Sequence, residues 1–185
     1  GYTWSAGGNL GTTRKMLAGA GTQTAGLAFG GEVTGSPPSL SAATEKYDGS
    51  AWTSSGNLNT TRKRLAGAGT QTAGLAFGGF TTTYSTSTES FNGSTWTTVP
   101  GTLNNARGYM QGCGTQTAAL TFGGFPPATG SAGTEKYNGT SWTTSGNLGT
   151  GRYGAGAAGT QTAALAIGGQ SPSFSPIFLT SVSLT

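Results

Sequence analysis

A chain of 185 residues is long enough for one well-buried domain. Its 35 glycines and 8% charged residues approach low-complexity composition, but four Trp, six Tyr and eight Phe at regular intervals exclude disorder. The net charge of +4, spread apart from Arg62-Lys63-Arg64 and its echo Arg14-Lys15, excludes a nucleic-acid footprint, and no apolar run nears the roughly 20 residues of a membrane span.

In chain order, the first marker is Trp4, in a segment (Gly1 to Trp4) that matches Gly49 to Trp52 and so predicts the last strand of a repeat. Arg14 follows, then the small-residue segment Leu17 to Gly21, and then Gly-Thr-Gln-Thr at residue 21. A strand alternating large and small residues comes next, ending at Gly30-Gly31, then a variable loop, then Thr44 to Tyr47. Asp48-Gly49 predicts a type I′ turn with positive φ at both central residues, and Trp52 opens the next strand. The order then repeats. Gly-Thr-Gln-Thr returns at residues 69, 114 and 159, each time seven residues after Arg62, Arg107 and Arg152. Gly78-Gly79, Gly123-Gly124 and Gly168-Gly169 end the second strand of each copy, and Trp96 and Trp142 keep the beat. The counterparts of Thr44 to Tyr47 are Thr88 to Phe91 and Thr134 to Tyr137, followed by Asn92-Gly93 and Asn138-Gly139. Four markers sharing one period of about 45 residues imply about four repeats of four short strands each, and no helix.

Arg, two strands ending in Gly-Gly, a variable loop, Tyr or Phe at a turn, then Trp is the order of a kelch repeat, which the chain resembles along essentially its whole length. The resemblance implies an all-β fold, a β-propeller of kelch-like four-stranded blades. The short Tyr-to-Trp turn (YDGSAW) and the count of four, against the five to seven blades more usual, depart from that pattern. Small residues in Leu65 to Gly69 and Tyr153 to Gly159 suit innermost strands crowded at an axis, and Trp and Tyr suit the widening outer wedge. A single repeat domain over 1–185 is expected, with repeats at about 1–43, 44–87, 88–133 and 134–185. Gly1 to Ala6 is expected to complete the sheet begun by Arg152 to Ile167 and so close the ring. A chain starting at Gly1 without Met is expected to be processed or part of a longer protein.

The recurrence of Arg14, Arg62, Arg107 and Arg152, of Trp4, Trp52, Trp96 and Trp142, and of the four Gly-Gly pairs marks them as structural repeat residues. The arginines are expected on carboxylates or loop carbonyls. Cys113 stands where other repeats have Ala20, Ala68 and Ala158, a core substitution. Without histidine, acid–base chemistry by His and most zinc or copper sites are excluded. No catalytic residue, metal site or cofactor is therefore expected. The loops after Gly-Gly differ while their flanks scarcely change, which predicts a recognition surface with Glu32, Phe80, Tyr84, Phe125 and Phe174 as contacts. Near-identical, weakly charged, Thr/Ser/Gly-rich repeats also resemble the kelch-like proteins of marine bacteriophages and some bacteria. That resemblance implies a non-catalytic module, extracellular or on a virion surface (a tail fibre or adhesin), that binds a glycan or protein on a host or partner surface. Other virion or fibre proteins are further expected partners. The alternatives are a purely architectural spacer or decoration and, ranked last, a carbohydrate-active enzyme.

Overall fold

Alternating large and small residues bounded by glycine pairs produce short strands, and short strands are what this chain contains. The structure, a computed structural model, describes residues 3–35, 39–126, 131–171 and, for the backbone alone, 181–183. The first repeat holds β1 (Arg14–Lys15), β2 (Ala18–Thr22), β3 (Ala25–Phe29), β4 (Glu32–Val33), β5 (Ser39–Leu40), β6 (Thr44–Tyr47) and β7 (Trp52–Ser55). The second adds β8 (Ala66–Gly69), β9 (Gly74–Phe77), β10 (Thr88–Phe91) and β11 (Trp96–Val99). The third adds β12 (Gln111–Gly114), β13 (Ala119–Phe122), β14 (Thr134–Tyr137) and β15 (Trp142–Ser145). The fourth has β16 (Gly156–Gly159), β17 (Ala164–Ile167) and β18 (Ser181–Ser183).

All pairings are antiparallel and no helix occurs among the described residues. Strands β2-β3-β6-β7, β8-β9-β10-β11 and β12-β13-β14-β15 form three four-stranded sheets, and β16-β17-β18 a fourth of three strands. A fifth, small sheet, β1-β4-β5, was not expected: in the first repeat the variable loop folds back as a hairpin beside Arg14–Lys15. Each large sheet is a meander, the first over 18–55 with the β4–β5 hairpin inserted between its second and third strands, so the expected repeat borders at 44, 88 and 134 fall inside sheets, between second and third strands.

The first three sheets pack on one another through the same four contacts, and the fourth packs on the third through all of them but the tryptophan contact. The first strands β2, β8, β12 and β16 lie side by side in that order, and no packing of comparable extent joins β16 back to β2. Their small residues are dictated by the aromatic ring behind: a Cβ on Gly67 would come 2.6 Å from Cζ of Phe29, and one on Gly112 would come 2.5 Å from Cζ of Phe77. Trp96 lies 4.9 Å from Phe29 of the preceding sheet, and its Nε1 donates to Thr44 Oγ1 at 2.9 Å. Trp142 repeats this on Phe77 (4.8 Å) and Thr88 Oγ1 (3.0 Å). Gln71 Nε2 donates to the carbonyls of Gly26 and Tyr47, Gln116 to those of Gly74 and Phe91, and Gln161 to those of Ala119 and Tyr137. The glycine pairs supply the fourth contact. Gly31, Gly79 and Gly124 donate their N–H to the carbonyls of Arg62, Arg107 and Arg152 of the next repeat. Gly30 and Gly31 have φ of 69° and 100°, and a Cβ on Gly30 would stand 2.8 Å from the Arg62 oxygen. Only glycine meets both demands. Three apolar cores result, one between each neighbouring pair of sheets.

The expected turn type is corrected. The Asx-Gly turns are not type I′: only Gly49, Gly93 and Gly139 have positive φ, and each turn is a four-residue loop. The Asx side chain causes the difference, because Asp48 Oδ1 accepts the N–H of both Ser50 and Ala51, as Asn92 and Asn138 do in their repeats. Ring closure by the N-terminal segment is also not seen. Residues 3–6 form no strand, and Trp4 is 103% exposed. Gly7 and Gly8 instead run against Tyr47 and Ser50 at the outer edge of the first sheet. Gly1 and Tyr2 lie outside the described residues.

Candidate binding surface

The four repeat arginines are buried and inward-facing. Arg14, Arg62 and Arg107 pair with Glu45, Glu89 and Glu135 at 2.7, 2.8 and 2.9 Å, and also donate to carbonyls beside the glycine pairs. The second oxygen of each glutamate accepts the N–H of Gly11, Asn59 or Asn104, three residues before the arginine. Burial pulls the Arg62 and Arg107 guanidinium pKa down, and the facing carboxylate opposes that pull. These arginines are the sheets' internal clasps. Arg152 differs: it donates to Gly168, but strand pairing puts Val182 where the other sheets have glutamate. Among the tryptophans, Trp96 and Trp142 are buried, Trp52 is half-buried beside Tyr47, and Trp4 is bare.

Three of the five loop candidates converge. Phe80 packs edge-on to Tyr84 (5.2 Å), and Tyr84 lies 5.5 Å from Phe125 of the next loop. Tyr153 stands 6.0 Å from Phe125 and 6.0 Å from Tyr109, extending the cluster over three repeats. The Arg64 guanidinium sits over the Tyr109 ring (4.5 Å) and the Phe80 ring (5.5 Å). All six side chains are half-buried, so each keeps part of its surface open to solvent. Glu32 does not join them. It is 6% exposed and held by Lys63 and, at 3.1 Å, by Lys15. Its hydrogen bonds from Lys63 and then Lys15 keep its carboxyl below the usual glutamate range. Glu32 ties the first two repeats together. Phe174 lies outside the described residues.

Arg64, Tyr109 and Tyr153 are absent from the expected set, though one signal pointed to two of them. The second residue after each repeat arginine is Met16, Arg64, Tyr109 or Gly154, a slot that differs in every repeat while the arginine two residues before it does not. The backbone explains its prominence. Met16, Arg64 and Tyr109 have φ of 56°, 60° and 55°, conformations costing of order 1–3 kcal/mol each for non-glycine residues. A hydrogen-bond chain holds them: Arg64 N–H donates to Met16 O, Tyr109 N–H to Arg64 O and Gly154 N–H to Tyr109 O. The slot therefore projects one variable side chain from each of the first three repeats along one rim. That rim borders a cleft of about 240 Å³ where the first strands of the first three sheets begin, with Met16, Arg64 and Tyr109 in its lining. Arg64 Nε is buried without a hydrogen-bond partner, and no carboxylate pairs with Arg64 among the described residues.

Chemistry is spoken for elsewhere. All five carboxylates have structural partners: three clasp arginines, Glu32 holds two lysines, and Asp48 caps its turn. Cys113 is buried against Thr160, and burial pushes its thiol pKa up, leaving little thiolate at neutral pH. A thiol-specific disulfide reagent will therefore label Cys113 slowly in the folded protein and rapidly in denaturant. Equal rates in both would show the site to be open.

The sequence matches no model of a known protein family, and no curated protein is significantly similar to it.

Proposed function

We propose that this chain is a non-catalytic binding module, extracellular or virion-associated, whose sheets act as kelch-like propeller blades and whose ligand is a glycan. The observation that carries this reading is the convergence of Phe80, Tyr84 and Phe125, from two variable loops, on Arg64, Tyr109 and Tyr153. Aromatic rings offer flat apolar faces to the C–H surface of a sugar, and a planar guanidinium presents donors to its hydroxyl or carboxylate oxygens. The structural commitment of all five carboxylates favours binding over hydrolysis, which needs two of them free beside the scissile bond. Loop variation over constant strands fits ligand choice by a conserved scaffold.

A glycan array probed with the purified chain tests this. Binding should fall about tenfold or more, about 1.4 kcal/mol, in both Arg64→Ala and Tyr84→Ala, with the unfolding midpoint nearly unchanged. Undiminished binding by both variants, or no binding to any glycan, would overturn the reading.

A further inference from the structure

The contacts that join neighbouring sheets recur within the chain, and at its two end faces their halves stand unused. Gln71, Gln116 and Gln161 each reach back to the preceding sheet, whereas Gln23, at the same place in the first sheet, is exposed and makes no hydrogen bond to a described residue. On the opposite face, Leu27, Phe29, Leu75, Phe77, Leu120 and Phe122 are at most 1% exposed because the following sheet covers them. Their counterparts on the fourth sheet, Leu165 and Ile167, are each 39% exposed. Two further halves concern the outermost strand. Thr44 and Thr88 accept the indole N–H of Trp96 and Trp142, but Thr134 Oγ1 is buried with no partner. The tryptophan due there by repeat order belongs to the fourth strand of the fourth sheet, which has three strands among the described residues. Trp4 is the fourth-strand tryptophan without a sheet.

We infer that two copies of this chain join head to tail, the Trp4 segment of one adding to β18 of the other as the missing fourth strand. In the junction, Trp4 supplies the indole N–H to Thr134, Gln23 reaches the Ala164 carbonyl, and the first sheet covers Leu165 and Ile167. Every one of these contacts continues an interface already formed between sheets of the same chain, which is why the occupant is a second copy. Among the described residues the first and fourth sheets show no packing comparable to that between successive sheets, and Gly8 lies against Ser50 as Gly56 lies against Ser94 and Gly101 against Thr140, the path by which the chain enters a sheet from a fourth strand of the preceding one. A head-to-tail contact uses different patches on its two partners, so it propagates unless it closes into a ring. This inference is independent of the proposed glycan site, which lies on the loop rim.

Sedimentation of the purified chain over a wide concentration range tests it. The mass should rise with concentration from 18.3 kDa towards its multiples. Trp4→Ala with Gln23→Ala should remove one half of the junction, and Leu165→Glu with Ile167→Glu the other, each leaving a folded monomer because all four side chains are at the surface. Mixed together, the two variants each retain one intact half and should form a single discrete heterodimer. A wild-type chain that stays at 18.3 kDa throughout would overturn the inference, including through closure within one chain. So would variants that still self-associate or a mixture that does not pair.

Discussion

Glu89→Ala should lower the unfolding free energy by about 3–5 kcal/mol, the cost of leaving a buried charge without its partner. Arg62 and Glu89 have 0% and 1% of their side chains exposed, so water cannot replace the lost carboxylate. The same change frees the Asn59 N–H and leaves Arg62 held by the Gly78 and Ser87 carbonyls alone. Glu89→Gln keeps an acceptor in place and should cost less. Urea unfolding followed by tryptophan fluorescence and circular dichroism measures both. A loss below about 1 kcal/mol for Glu89→Ala would place this pair with exposed ion pairs, whose removal costs little, and would contradict its role as a clasp.

Trp142→Ala should cost a similar amount, about 3–5 kcal/mol, for a different reason. Its ring fills the space between Phe77 and Tyr137, at 4.8 and 5.0 Å, and its removal also strands the buried Thr88 hydroxyl. Trp142→Phe, which keeps a ring but loses the N–H, should cost about 1–3 kcal/mol. Trp52 offers an internal control, being half-buried with no preceding sheet and no threonine acceptor among the described residues. Trp52→Ala should therefore cost less than half as much in the same urea experiment. Equal costs at the two positions would mean that packing within a sheet, not between sheets, sets the value of this tryptophan.

The loops were legible in part. Phe80, Tyr84 and Phe125 stand out in sequence because they interrupt constant flanks, and they do meet in space. Glu32 stands out for the same reason yet is buried, since a lone carboxylate between Lys15 and Lys63 gains more from two cations than from water. Arg64 sits in the basic run Arg62-Lys63-Arg64, whose composition does not separate it from its neighbours. Its use depends on the rings of Tyr109 and Phe80, 45 residues ahead and 16 residues ahead in the sequence, which no local pattern connects.

Short strands, their order, the glycine pairs and the small first strands are legible in the repeats, whereas the equally recurrent Asx-Gly turns take a different form from the one their residues suggest. Each copy restates the same short-range steric and hydrogen-bonding demand, so four copies in register make the pattern unambiguous. What happens between copies and at their ends is set by packing in three dimensions. Trp96 and Trp142 acquire a threonine acceptor from the preceding sheet, while Trp4, at the same place in the repeat, acquires none among the described residues and stands in water. The physical reason is that a repeat cannot cover its own face. Whether an aromatic ring or an arginine ends as core, clasp or binding surface depends on which neighbour is packed against it, and that neighbour lies a full repeat away along the chain.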